Sequence, residues 1–115
     1  MAGNDVHAWI QFGTITFPLR KHGMVRIGRS IESDVRLFED PGSSRDHCVI
    51  KSVKDKVEVT DLDSRNGTSV NGRPIHVATK LFHNDVITVG DSKLTILFEM
   101  DSNQPKTDTG FTLKS

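Results

Sequence analysis

Apolar and polar residues alternate with a period of two along most of this chain. In Met24-Val25-Arg26-Ile27-Gly28, Val25 and Ile27 share one face and Arg26 takes the other. Lys56-Val57-Glu58-Val59-Thr60 repeats the alternation, and Leu94-Thr95-Ile96-Leu97-Phe98 does so less regularly. Such stretches read as half-buried strands. They predict strands near 7–12, 14–20, 24–28, 35–38, 46–53, 56–61, 68–70, 79–82, 85–90 and 92–99. Turn residues separate most of them: Gly13, His22-Gly23, Pro41-Gly42, Asp55, Asn66-Gly67, Asn71-Gly72, Asn84-Asp85 and Gly90-Asp91. No long stretch has a convincing helical period. Many short strands at regular spacing predict an all-β fold, a two-sheet antiparallel β-sandwich of about ten or eleven strands.

Composition narrows the classes. The chain's 115 residues fit one domain, and a core without covalent staples is feasible at this size. The last fifteen residues, 101–115, change character: they are rich in Asn, Gln, Pro, Lys, Thr and Asp, with Phe111 and Leu113 isolated. The expected division is a domain over 1–100 and a flexible tail over 101–115. Fifteen basic residues balance fifteen acidic ones, and no long basic run appears, so no direct nucleic-acid partner is expected. No apolar run approaches the roughly 20 residues of a membrane span, and no membrane partner is expected. The N-terminal residues lack both the basic and the apolar parts of a secretory signal. The single Cys48 excludes a disulfide framework and fits a reducing compartment.

Three polar clusters interrupt the strand pattern: Gly28-Arg29; Ser44-Arg45-Asp46-His47; and Ser64-Arg65-Asn66-Gly67-Thr68, running on to Asn71-Gly72. Each falls at a strand end, where binding residues concentrate. Their guanidinium, hydroxyl and carboxamide groups suit a phosphate flanked by peptide backbone. A guanidinium offers a fixed fork of donors that matches phosphate. A serine hydroxyl donates to a phosphate oxygen, and an asparagine amide pairs with both C=O and N–H of an extended peptide. Asn66-Gly67 also reads as a plain hairpin turn.

Ser44, Asp46 and His47 lie too close along one strand entry to form a catalytic triad, whose members come from separate segments. His7, His22, His76 and His83 show no metal-ligand spacing, and no metal or cofactor is expected. Asp61 and Asp63 lead into the Asn66 loop, where they are expected to tether backbone and basic side chains. No nucleophile, base and orienter converge, and no Gly-rich nucleotide loop is present, so the chain is not expected to be an enzyme.

Taken in order, Gly28-Arg29, Ser44-x-x-His47, Ser64-x-Asn66-Gly67-Thr68 and Asn71-Gly72 resemble the forkhead-associated (FHA) domain family over roughly residues 8–99. The resemblance implies a β-sandwich with binding loops at one end, reading phosphothreonine-containing protein segments. It implies that Arg29 and Ser44 hold the phosphate and Asn66 the peptide main chain, with Arg45 and Arg65 at variable positions that contact phosphate or peptide. Gly28, His47, Ser64, Gly67, Asn71 and Gly72 become structural support. FHA domains are common in nuclear DNA-damage and cell-cycle proteins, which implies an intracellular setting, nuclear or cytoplasmic. Phe17-Pro18-Leu19 before Gly28-Arg29 is faintly similar to the N-terminal FHA domain of checkpoint mediator adaptors. A second reading is homodimerisation or scaffolding, either phospho-dependent, with the pocket taking a modified Thr107, Thr109 or Thr112 from another copy, or constitutive, through a sandwich face independently of phosphate.

Overall fold

A computed structural model describes residues 6–99, and the expected tail at 101–115 lies outside the described residues. The strands, in chain order, are β1 (Val6–Phe12), β2 (Ile15–Arg20), β3 (Met24–Gly28), β4 (Val35–Arg36), β5 (Cys48–Val53), β6 (Lys56–Asp61), β7 (Thr68–Val70), β8 (Arg73–Pro74), β9 (Thr79–Leu81), β10 (Val86–Val89) and β11 (Ser92–Phe98). Each segment expected from the alternation holds one of them. The eleventh, β8, was not expected, because Arg73–Pro74 has only two residues and no apolar alternation to reveal it. The strand expected over 46–53 begins at Cys48, since residues 44–47 fold across Gly28 instead of extending.

Two sheets form, a six-stranded one in the order β2-β1-β11-β10-β7-β8 and a five-stranded one in the order β4-β3-β5-β6-β9. One detail corrects the expected all-antiparallel pairing. β4 runs parallel to β3, with Ile27 opposite Val35 and Gly28 opposite Arg36. A parallel neighbour normally requires a long crossover. Here the connection is short because β4 has only two residues, so the chain needs to double back very little.

Inward positions from both sheets fill the core. Ile10, Leu19, Ile27, Ile50, Leu81, Ile87, Leu94 and Ile96 are all fully buried. Each such side chain contributes about 1.5–3 kcal/mol when removed from water. The core fixes both sheets, and the pairings bring the segments 29–34, 37–47 and 62–67 together at one end. The turn at Gly90-Asp91 joins that end from the other sheet.

Candidate functional site at the loop end

The segment Pro41-Gly42-Ser43-Ser44 is the hub of this end. Three consecutive carbonyls accept hydrogen bonds from three side chains. Arg65 Nη2 donates to Pro41 O at 3.3 Å, Asn66 Nδ2 to Gly42 O at 2.8 Å, and Arg29 Nε to Ser43 O at 2.7 Å. At the fourth residue, Ser44 Oγ accepts the main-chain N–H of Arg65 at 2.9 Å. Arg29, Ser44, Arg65 and Asn66 therefore come from three separate segments and meet on one strip of backbone. Arg29 uses Nε and keeps both Nη groups unpartnered among the described residues. Ser44 uses its oxygen as acceptor and keeps its O–H. Arg45 is exposed, and its guanidinium has no polar partner among the described residues.

A buried scaffold holds the hub. Asp40 opens the turn with Pro41 second, a signature of a type I turn. Ser43 N–H returns to Asp40 O at 3.1 Å, and the Asp40 carboxylate accepts Gly42 N–H at 2.9 Å. Its other oxygen crosses to the second sheet, accepting Asp91 N–H at 2.9 Å and Ser92 Oγ–H at 2.6 Å. Burial pushes the Asp40 pKa up, but the bonds from Ser92, Asp91 and Gly42 leave it below its ordinary value. Gly90, at φ +60°, lets the carboxylate approach, since a Cβ there would sit 2.6 Å from Asp40 Oδ1.

His47 is fully buried and spends both ring nitrogens on main chain. Nδ1 accepts Ser44 N–H at 2.9 Å, and Nε2 lies 2.8 Å from Gly67 O. A carbonyl can only accept, so Nε2 carries the hydrogen and the ring is the neutral tautomer. The ring thus ties the 44 loop to the 64–68 loop. It makes no bond to Ser44 Oγ, so it is not placed to act as a base for that hydroxyl. Gly28 has a steric reason: a Cβ there would lie 2.1 Å from the carbonyl oxygen of Arg45.

Asp61 braces the third cluster. Its Oδ1 accepts the hydroxyls of Ser64 at 2.5 Å and Thr68 at 2.7 Å, and its Oδ2 accepts Ser64 N–H at 3.0 Å. Ser64 Oγ in turn accepts Gly67 N–H at 2.9 Å. Burial works against the ionised form, but the Ser64 and Thr68 hydroxyls, then Ser64 N–H, hold the Asp61 pKa below its usual value. Asp61 therefore tethers backbone, as expected, but its side-chain partners are the Ser64 and Thr68 hydroxyls and not the expected basic side chains. Beneath it, burial and the Asp61 charge, offset by a Thr68 hydrogen bond, push the Cys48 thiol up to about 12, so it stays protonated.

Asn71 lies apart from these contacts. Its Nδ2 donates to Asp85 Oδ1 at 2.9 Å and its Oδ1 accepts Val86 N–H at 2.9 Å. With Gly72 it turns β7 into β8, both residues having positive φ, at 51° and 84°. Its expected support of the Asn66 loop is indirect: it pins β7 against β10 and touches none of residues 64–67. Sequence reasoning missed Asp40 altogether. The Asp-Pro-Gly turn was visible, but its partners lie 51 and 52 residues away.

Comparison with known proteins supplies the family of this fold. The family model for the FHA domain matches residues 25–90. The proliferation marker protein Ki-67 of Mus musculus is 37% identical over 75 residues, covering 65% of this chain and 2% of that protein. The FHA domain-containing protein FhaA of Mycobacterium tuberculosis is 36% identical over 96 residues, covering 83% of this chain and 18% of that protein. The chain thus spans a small part of the length of these relatives. An FHA domain solved in a study of phosphothreonine-dependent FHA domain interactions superposes with a TM-score of 0.73 at 32% identity, covering 82% of this chain and 98% of the other. A matched family model over more than half its length, on a sandwich with these three loops at one end, makes this chain a member of the FHA domain family.

Proposed function

We propose that the loop end binds phosphothreonine-containing segments of partner proteins. One observation carries this reading: Arg29, Asn66 and Arg65 are lined up on the carbonyls of three successive residues, with the Ser44 hydroxyl next in line. The Nη groups of Arg29 and the O–H of Ser44 are the free donors for phosphate. A phosphate adds close to two negative charges and three strong acceptors. Its oxygens carry full charge and can take a guanidinium bidentately, which the single long bond to Pro41 O cannot match, so it draws Arg65 from Pro41 O when it enters. Asn66 keeps its Oδ1 and one N–H for the peptide main chain. Two or three charge-assisted bonds of roughly 1.5–3 kcal/mol each, with main-chain contacts, support micromolar affinity, about −8 kcal/mol.

Arg45, exposed at the rim, contacts ligand residues beside the phosphothreonine. The likeness to a proliferation marker protein supports a cell-cycle setting and, with it, a nuclear location and a part in phosphorylation-dependent signalling. Titration of a phosphothreonine peptide library and its unphosphorylated twin tests the reading. The phosphorylated set binds at least tenfold more tightly, and Arg29→Ala removes the difference. Equal binding of the two sets, or an Arg29→Ala domain that binds as well as the original, would sink it.

A further inference from the structure

The two outer faces of the sandwich differ in chemistry. On the six-stranded sheet the outward positions include Trp9, which lies opposite both Leu97 and Pro18, with Thr88 and Thr95 nearby and one lysine, Lys93, opposite Thr88. On the five-stranded sheet the outward strand positions present Arg26, Arg36, Lys51, Lys56 and Lys80 against one carboxylate, Glu58. The chain is neutral as a whole, so positive charge is concentrated on this face. Glu58 faces Lys51 and Lys80 across the strands and pairs with Lys56 at 3.2 Å. One carboxylate thus lies among three ammonium groups and pairs with only one of them, Lys56. Neither the Arg26 guanidinium nor the Lys51 ammonium has a polar partner among the described residues. Asp34, the nearest loop acid, is committed to the main-chain N–H of Arg26 at 2.8 Å.

A groove of about 230 Å³ lies between these two cations, lined by Met24, Arg26, Val49, Lys51 and Leu62. Val49 points outward yet is only 5% exposed, so it forms the floor. Met24 and Leu62, 49% and 40% exposed, form apolar walls. The methylene stems of Arg26 and Lys51 cover the floor while their charged ends stay in water.

We infer that this groove docks an acidic peptide segment carrying an apolar side chain, independently of phosphorylation. The apolar side chain seats on Val49 between Met24 and Leu62, and flanking carboxylates meet Arg26 and Lys51. The apolar floor favours a peptide: it accepts a side chain and offers a phosphodiester backbone nothing. Apart from Leu62, which opens the 62–67 loop, the groove shares no residue with the loop end and none with the proposed phosphate contacts, so either can fail without the other.

The test titrates the isotope-labelled domain with an unphosphorylated peptide, Glu-Glu-Leu-Glu-Glu-Phe-Glu. Amide shifts are expected at Met24, Arg26, Val49, Lys51 and Leu62. The double variant Arg26→Glu, Lys51→Glu binds this peptide at least tenfold more weakly and keeps its affinity for phosphothreonine peptide. Leu62→Asn, which leaves the charges in place, weakens acidic-peptide binding about fivefold. No binding, shifts centred on Arg29 and Ser44, or undiminished binding by either variant overturns the inference. So does an oligothymidine strand or an anionic vesicle that binds as tightly through the same two cations.

Discussion

Two Asn-Gly pairs lie five residues apart in this chain, and they do different work. Asn71-Gly72 is a true hairpin turn, with both residues at positive φ and the Asn71 amide bonded to Asp85 and Val86. Asn66-Gly67 is no hairpin. It links β6 in one sheet to β7 in the other, and only Gly67 has positive φ, at 81°. Its Asn reaches across to Gly42 O, and its Gly presents a carbonyl to His47. The same dipeptide closes a strand pair in one place and bridges two loops in the other. The surroundings decide: β7 and β8 pair directly, whereas Asp61, Ser64 and His47 hold the 64–68 loop open in a shape that the dipeptide alone would not choose.

The largest expected effect attacks the bridge itself. His47→Ala leaves the half-buried Ser44 N–H and Gly67 O without partners and opens a cavity where the ring was fully buried, and should cost about 3 kcal/mol by urea denaturation together with most phosphopeptide affinity. An unaltered unfolding midpoint would show that the two loops do not depend on the ring. The paired substitutions Asn66→Ala and Asn71→Ala come next. Asn71→Ala loses two hydrogen bonds and a favourable left-handed residue, about 2 kcal/mol of stability, with affinity within twofold of the original. Asn66→Ala shows the converse in calorimetric titration: at least a tenfold loss of affinity and a stability change under about 1 kcal/mol. If both variants lose stability alike and bind alike, the division between the turns collapses.

Gly67→Ala and Gly72→Ala sharpen it further. Neither position has a neighbour within 4 Å of an added Cβ, so only the positive φ is penalised. Each should cost about 1 kcal/mol, equal in thermal melts, while only Gly67→Ala weakens phosphopeptide binding. The smallest effect is that of acid. Asp61 and Asp40 both have folded pKa values below their ordinary ones. Their stabilisation is complete at neutral pH and drains away as the pH falls below about 4 through the folded values. Asp61→Asn should flatten that acid limb, whereas Asn71→Ala leaves its shape intact.

Much of this architecture was legible because a period of two is a local signal. Val25 and Ile27, or Val57 and Val59, announce their strands without reference to anything distant. The pair Arg73–Pro74 gave no such signal. The parallel setting of β4 against β3 was also hidden, because it depends on how far the chain doubles back. At the loop end, Arg29, Ser44 and Asn66 stood out as residue types at strand ends. Their meeting on the 41–44 carbonyls did not, since each bond there joins segments 14 to 24 residues apart.

The Asp40 tie also bears on how the site is made. Arg29 and Ser44 emerge early during synthesis, and Asn66 follows them. The carboxylate that fixes their shared turn must wait for Ser92, 52 residues further on. Contacts this distant in sequence are slow to form because loop closure precedes any reward. A nascent or truncated chain ending before β11 therefore carries every residue proposed to contact ligand and still lacks the tie that shapes their turn. Completion of the last strand becomes the checkpoint at which the proposed binding turn takes its shape.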